Sequence, residues 1–198
     1  MSHIQTIGAG LFTDLAFSPD SADAGLPATP EVITNWMAKF TTEIAIGAAS
    51  VANDFYRITN VREFPAVGTP ANIVNVPSYG QKTSSQVQGQ ADAPTLEVTL
   101  NFVPDDWQKT ANYLGSFVGD GVQYYFRFTV LNTEPTGTGA TKWASLDSDT
   151  GLSTVDNSQY FWVGKLEALS VNPQLTDANQ ATLTISTQSD FYGAFTNT

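Results

Sequence analysis

The stretch that decides the fold is Thr95-Leu-Glu-Val-Thr-Leu-Asn-Phe-Val103, in which polar and apolar residues alternate from the first position to the eighth. Successive side chains of a β-strand point to opposite faces of its sheet, so this alternation predicts a strand with one buried face and one wet face. The residues predicted to be buried are Leu96, Val98, Leu100 and Phe102. The residues predicted to face away from the core are Thr95, Glu97, Thr99 and Asn101.

Similar patterns on both sides of this stretch predict a sheet. The further strands are expected at residues 56–64, 72–76, 122–130, 160–171 and 181–187. Pro104-Asp-Asp106 is typical of a helix start, because acidic side chains are favourable at the positive end of a helix, and we expect a helix over 105–118. The predicted fold is therefore mainly β, an antiparallel β-sandwich or barrel with one flanking α-helix.

An N-terminal arm precedes this β-domain, which is predicted over residues 51–198. Residues 1–50 are assigned to the arm, and Thr29-Pro-Glu31 predicts the start of a short helix near 30–40. Val32, Trp36, Phe40 and Ile44 follow at a spacing of four and form one apolar stripe.

Two polar segments interrupt the predicted strands. Residues 78–92 contain almost no large apolar side chain, so they predict an extended hairpin or loop that adds little to a core. Holding such a segment in order is costly for a lone monomer, which points toward assembly. Residues 132–157 are rich in Gly, Thr, Ser and Asp and predict a surface insertion.

Composition excludes several classes of protein. The chain of 198 residues has a formal charge of −11, and its eight Lys and Arg residues form no cluster, which argues against tight nucleic-acid binding. Cysteine is absent, so disulfides and thiolate metal sites are excluded. No apolar run reaches the ~20 residues that span a bilayer, and no secretory signal is visible, so we expect folding in a cytoplasm without a membrane partner. Only 14% of residues are charged, which suggests surfaces that meet protein or line a channel.

No arrangement of residues typical of an enzyme is present. The sole histidine is His3, in a segment expected to be mobile, and a catalytic base must be rigidly oriented. Residues 147–156 resemble a calcium loop only faintly, since Gly151 stands at a ligand position and no closing glutamate follows. Gly137-Thr-Gly-Ala-Thr-Lys142 lacks the spacing of a phosphate-binding loop. We therefore expect no catalytic residue, no cofactor and no metal ion.

The order of these segments resembles the major tail tube proteins of long-tailed bacteriophages. The resemblance rests on Ile58-Thr-Asn-Val-Arg-Glu-Phe-Pro65, Asn72-Ile-Val-Asn-Val76, the polar segment 78–92 and Leu96-Glu-Val-Thr-Leu-Asn-Phe-Val-Pro-Asp-Asp106. It continues through the later strands and covers roughly residues 55–190. Residues 1–50 and 132–157 depart from the compact family pattern.

The resemblance implies a structural virion protein. Members of the family have a β-sandwich or barrel that is shared with the type VI secretion tube protein. They form hexameric rings that stack into a hollow tail tube around a tape-measure protein, meet tip and terminator proteins at the tube ends, and later pass double-stranded DNA to the host. The chain would assemble in the bacterial cytoplasm and reside in the tail.

The resemblance also assigns roles to residues. The polar segment becomes an arm that contacts the next ring, and strands 56–64, 72–76 and 95–103 would line the lumen, the first two as a pair. The arm residues expected at the ring-stacking interface are Tyr79, Gln81, Lys82, Gln86, Val87 and Gln88. The residues expected at the lumen are Thr95, Glu97, Thr99 and Asn101. A neutral-to-acidic lumen would let a phosphate backbone slide without capture.

Two other functions stay open from the sequence. The chain is also compatible with another tube or ring component, such as a secretion tube, tail terminator or decoration protein. A ligand-binding β-domain would use exposed aromatic side chains, for which the candidates are Tyr124, Tyr125, Tyr160 and Trp162. Alternation places most of these in the core, which weakens that alternative.

Overall fold

The computed structural model describes residues 12–22, 25–68, 73–77, 79–80, 85–88, 94–131, 134–135, 138–144 and 157–193. Two short α-helices, one 3-10 helix (Gly139–Thr141) and eleven strands lie in these ranges. The α-helices are α1 (Ile33–Met37) and α2 (Leu114–Phe117). The strands are β1 (Asp14–Ser21), β2 (Thr42–Glu43), β3 (Asp54–Arg57), β4 (Val61–Glu63), β5 (Ile73–Val76), β6 (Ser85–Gln88), β7 (Thr95–Asn101), β8 (Tyr124–Leu131), β9 (Asn157–Asn172), β10 (Gln180–Thr187) and β11 (Tyr192–Gly193).

Nine of these strands form one sheet in the order β2-β3-β1-β8-β9-β10-β7-β4, with β11 also paired to β9. The long strand β9 joins two halves, since residues 157–164 pair with β8 and residues 164–172 pair with β10. We call β2-β3-β1-β8 the first half of the sheet and β10-β7-β4 the second half. Neighbouring strands are antiparallel except β2 and β3, which are parallel.

Gly164 occupies the point where β9 passes from one half to the other. A Cβ atom added there would lie 2.7 Å from the backbone oxygen of Ser186 and 3.2 Å from Nε1 of Trp162. Real Cβ atoms do not approach a backbone oxygen so closely, so only glycine permits β9 and β10 to lie this close together at position 164.

The main hydrophobic core lies between the inner faces of the two halves. The first half contributes aromatic side chains such as Phe17 and Phe126, and the second half contributes aliphatic ones such as Leu100 and Leu183, all with no exposed surface. Trp162 of β9 stacks on Phe126 with ring centroids 5.4 Å apart. Because both inner faces are buried in the same cluster, the sheet is a sandwich, which confirms the predicted mainly β fold.

A second apolar layer covers the outer face of the first half. Trp36 of α1 stacks against Phe161 and Tyr192, with centroids 5.9 and 5.3 Å away, and Phe40 packs on Phe55. Each fully buried side chain of this size contributes about 1.5–3 kcal/mol. The helix predicted near 30–40 therefore exists, but only over Ile33–Met37. Thr29 has φ of +54° and lies in a turn instead of capping the helix.

The boundary predicted at residue 50 is corrected by β1. This strand lies inside the sheet, between β3 and β8, so residues 14–21 belong to the β-domain and not to an appended arm. The sequence does not indicate β1 because the strand contains Pro19, and proline removes a backbone donor and is rare inside a sheet. In the structure Pro19 falls in an irregularity of the β1–β8 pairing, between Ser18 and Ser21.

The helix predicted over 105–118 is also corrected, because only Leu114–Phe117 is helical. Asn112 has φ of +71°, which a right-handed helix does not allow. The backbone nitrogen of Leu114 donates to the oxygen of Asp106, 3.0 Å away, where a helix would use the oxygen of Thr110. Residues 104–113 are therefore a series of turns.

Two predictions about the polar segments need adjustment. Strand 72–76 does not pair with 56–64, since β5 pairs with β6 in a separate two-stranded sheet. The insertion 132–157 is described only in part, but Ala144 is buried in the outer apolar layer. That part of the insertion is a component of the packed structure.

Candidate assembly surfaces

The outer face of the second half is polar. The alternation predicted for β7 is confirmed: Leu96, Val98 and Leu100 are buried, while Thr95 and Glu97 are exposed. Thr99 and Asn101 are half-buried on the same side. The structure therefore brings the four predicted lumen residues together on one sheet face, although their exposure to a lumen stays a prediction.

The register of β10 extends this face across a second strand. Each of the four β7 residues has an uncharged polar residue of β10 directly opposite. We call the resulting surface the polar face, and it consists of Thr95, Glu97, Thr99, Asn101, Gln180, Thr182, Thr184 and Ser186. Sequence reasoning assigned only the β7 members, although the alternation in residues 180–187 carries the same signal.

Charges are sparse where β9 borders the polar face. Lys165 lies opposite Ser186, and the hydroxyl of Ser186 donates to Oε1 of Glu167 at 2.6 Å. With Glu97 and with Glu63, which lies opposite Thr99 on β4, this gives three carboxylates and one ammonium beside many hydroxyl and amide groups. Such a surface can form hydrogen bonds but offers no array of cations that would hold a phosphate backbone.

The second half ends in an incomplete edge. β4 pairs only with Thr99 and Leu100 of β7, with an irregularity between the two pairs. Within the described ranges, no strand pairs with the outer side of β7 over residues 95–98. Unpaired N–H and C=O groups along a strand edge are a template for pairing with another chain.

The predicted stacking segment contains a hairpin that forms its own sheet. Four cross-strand pairs join β5 and β6, from Ile73 opposite Gln88 to Val76 opposite Ser85. We call residues 73–88 the hairpin arm. Among the described elements, neither strand of the arm makes extensive contact with anything but the other strand.

The arm residues predicted at the interface are placed in part. Gln86, Val87 and Gln88 lie in β6. Tyr79 lies in the connecting turn with 109% relative exposure, as open as an isolated residue, and Val76 is 41% exposed. Gln81 and Lys82 lie outside the described residues.

A group of charges in the outer layer, two of them buried and two half-buried, was missed from the sequence. We call it the outer charge cluster, and it consists of Asp14, Glu43, Arg57 and Arg127. Asp14 accepts from Nε of Arg57 at 2.7 Å and from a terminal nitrogen of Arg127 at 3.1 Å. The signal that could have found it is Arg127 itself, a cation within the aromatic strand Tyr124–Leu131.

Trp143, which lies in the insertion, contacts both arginines of the outer charge cluster. Its carbonyl oxygen accepts from Arg127 at 2.7 Å, and its ring centroid lies 3.7 Å from the guanidinium carbon of Arg57. Burial raises the pKa of Glu43, while Arg57 opposes this shift. Burial also lowers the pKa of the Arg127 guanidinium, against the effect of the nearby Asp14 carboxylate.

The described residues give little support for a metal site or a ligand-binding site. They contain no group of three or more side chains suited to hold a metal ion. Three of the four aromatic candidates for ligand binding, Tyr124, Tyr125 and Trp162, are at most 5% exposed. His3 and residues 147–156 lie outside the described ranges. Within those ranges no helix is long and apolar enough to cross a bilayer.

No protein-family model matches this chain, and no curated protein matches it significantly. The polar face, the open edge of β7 and the hairpin arm are therefore the features that bear on function.

Proposed function

We propose that this protein is the structural subunit of a hollow tube built from stacked rings, as in the tails of long-tailed bacteriophages. Its main partner is then itself, in rings that are expected to be hexameric. A tape-measure protein would occupy the tube during assembly, tip and terminator proteins would meet its ends, and double-stranded DNA would pass without specific binding. The protein would act in the tail of the virion and not as an enzyme.

The observation that carries the proposal is the hairpin arm. A two-stranded hairpin alone is at best marginally stable in water, because it buries little apolar surface. The arm pairs only with itself among the described elements, and its turn presents Tyr79 fully to solvent. Contact with another copy would bury this side chain and stabilise the hairpin.

Two features of the second half support the same function. The open edge of β7 can pair with an edge strand of an adjacent copy, which would extend the sheet around a ring. The polar face would then line the interior, where its hydroxyl and amide groups stay hydrated. Its few charges and the overall charge of −11 disfavour adhesion of DNA.

The first experiment removes the hairpin arm. Ile73 and Gln88 are cross-strand partners, so their Cα atoms are about 5 Å apart and a Gly-Ser linker of a few residues can replace residues 73–88. We expect the wild type to form rings or tubes in negative-stain images and the shortened variant to remain folded by circular dichroism without forming tubes. Unfolding of the variant would contradict the arm assignment, and absence of rings and tubes in the wild type would contradict the function.

A matched pair of point variants separates the arm from exposed apolar residues in general. Tyr79 and Leu175 are both fully exposed, at 109% and 104%, but Leu175 lies in the turn between β9 and β10. We expect Tyr79→Ser to raise the protein concentration needed for tube formation, measured by light scattering, more than Leu175→Ser does. Equal effects would remove the special role of the arm.

The assignment of the polar face to the lumen can be tested through the lack of native cysteine. Glu97→Cys places a thiol on the polar face, and Val51→Cys places one on an exposed loop elsewhere. In dissociated protein both should react with a maleimide attached to a bulky polymer. In tubes only the thiol at position 51 should react quickly. Equal rates in tubes would show that the polar face is outside.

A further inference from the structure

Two polar groups of the outer charge cluster and its neighbourhood have no hydrogen-bond partner among the residues that the structure describes. They are Nε of Arg127 and Oγ1 of Thr129. The two residues are 1% and 0% exposed, so bulk water does not reach them. An unsatisfied buried polar group is costly, and more so when it is charged, so two in one place require an explanation.

The strand register places these two groups on the same side of the sheet. Arg127 and Thr129 are two residues apart on β8, so their side chains leave the same face. Asp14 lies directly opposite Thr129 on β1. Because the guanidinium of Arg127 reaches the carboxylate of Asp14 at 3.1 Å, it extends along the strand toward Thr129.

The charges around the site favour a neutral occupant. Asp14 and Glu43 carry two negative charges, and Arg57 and Arg127 carry two positive charges, so the outer charge cluster is balanced. An added anion would be a buried charge without a counter-ion, which is costly. Water is small, neutral and able to accept from one group while it exchanges a hydrogen bond with another.

We propose that the outer charge cluster contains a binding site for one internal water molecule, held between Nε of Arg127 and the hydroxyl of Thr129. The water accepts from the guanidinium N–H and forms a second hydrogen bond with the hydroxyl. It donates to a carboxylate oxygen of Asp14, because each such oxygen can accept more than one hydrogen bond. Three hydrogen bonds are the usual number for a buried water, so the site meets its needs.

The test is oxygen-17 relaxation dispersion, which counts water molecules that reside in a protein longer than it takes to tumble. Thr129→Val removes the hydroxyl and keeps the branched shape of the side chain. Thr187→Val is the matched control, because Thr187 is 2% exposed but its hydroxyl donates to the oxygen of Pro94 at 2.7 Å. We expect Thr129→Val to lose one long-lived water and Thr187→Val to lose none. Equal counts in wild type and Thr129→Val would overturn the proposal.

A second measurement keeps the proposal testable if Thr129→Val does not fold. A high-resolution crystal structure of the wild-type protein should contain a water within hydrogen-bond distance of both groups. A direct contact between the two groups, a site without density, or a chloride ion identified by its anomalous signal would each overturn the proposal.

Discussion

Replacement of Arg127 by methionine should destabilise the protein strongly. Arg127 is 1% exposed, donates to Asp14 and to the carbonyl of Trp143, and lies over the rings of Phe40 and Phe55. Removal of one member of a buried ion pair costs about 3–5 kcal/mol, because the partner charge stays buried. Arg57 still contacts Asp14 at 2.7 Å in the variant, which places the expected loss near the lower limit, at about 3 kcal/mol.

Such a loss is large compared with the stability of a domain. It would lower the ratio of folded to unfolded protein by roughly a hundredfold. Urea unfolding followed by circular dichroism measures it, with an unchanged dependence on urea concentration as a check that the unfolded state is the same. The variant that lacks the hairpin arm is the suitable background, because assembly would add stability of its own.

A double variant makes the test sharper. Asp14→Leu together with Arg127→Met removes both buried charges and leaves Arg57 with Glu43, so it should cost less than the sum of the two single changes. Arg57→Met alone should cost less than Arg127→Met, since the Arg57 side chain is 21% exposed. If the free energy of unfolding of Arg127→Met lies within about 0.5 kcal/mol of the wild-type value, the ion pair of Arg127 with Asp14 does not hold the outer layer on the sheet.

Three further changes test other parts of the structure. Glu43→Gln should remove a pH dependence of stability. Burial raises the pKa of Glu43, so the folded state favours the protonated form of this side chain. The wild type should therefore lose stability relative to the variant as pH rises from 4.5 toward neutrality, measured by thermal unfolding. Gly164→Ala should lower the free energy of urea unfolding by about 1–3 kcal/mol, because its Cβ would meet the oxygen of Ser186, and an unchanged stability would contradict the tight crossing. Trp143→Leu should cost about 1 kcal/mol through loss of the stacking on Arg57, and no loss would mean that the stack contributes nothing.

Local patterns predicted the second half of the sheet well. The alternation from Thr95 to Asn101 specified which side chains of β7 are buried, because that strand has one wet face. Phe102, which was also predicted to be buried, lies just after β7 and is half-buried. The prediction of a helix over 105–118 was wrong for a local reason. Asn112 adopts a positive φ, which asparagine tolerates and which composition alone does not reveal.

The first half was harder to predict because both of its faces are covered. Tyr125 and Arg127 alternate with the inner residues of β8 and looked like members of an outward face, but α1 and residues 143–144 bury them. These covering segments are distant in the sequence, so no periodicity within β8 indicates them. The hairpin arm is a similar case, since its β6 strand is polar and only its pairing with β5 identifies it.

The order of strands in the sheet has a consequence for the timing of folding. β1 pairs with β8, and β7 pairs with β10, so β1 and β7 can pair with these strands only after a much later part of the chain has been synthesised. Closing such long loops is slow compared with forming a local hairpin. Both strands of the hairpin arm are close together in the sequence and are synthesised early, whereas the polar face is complete only after β10 has left the ribosome. Nascent chains would thus lack a finished ring surface, which would delay self-association until the subunit has folded.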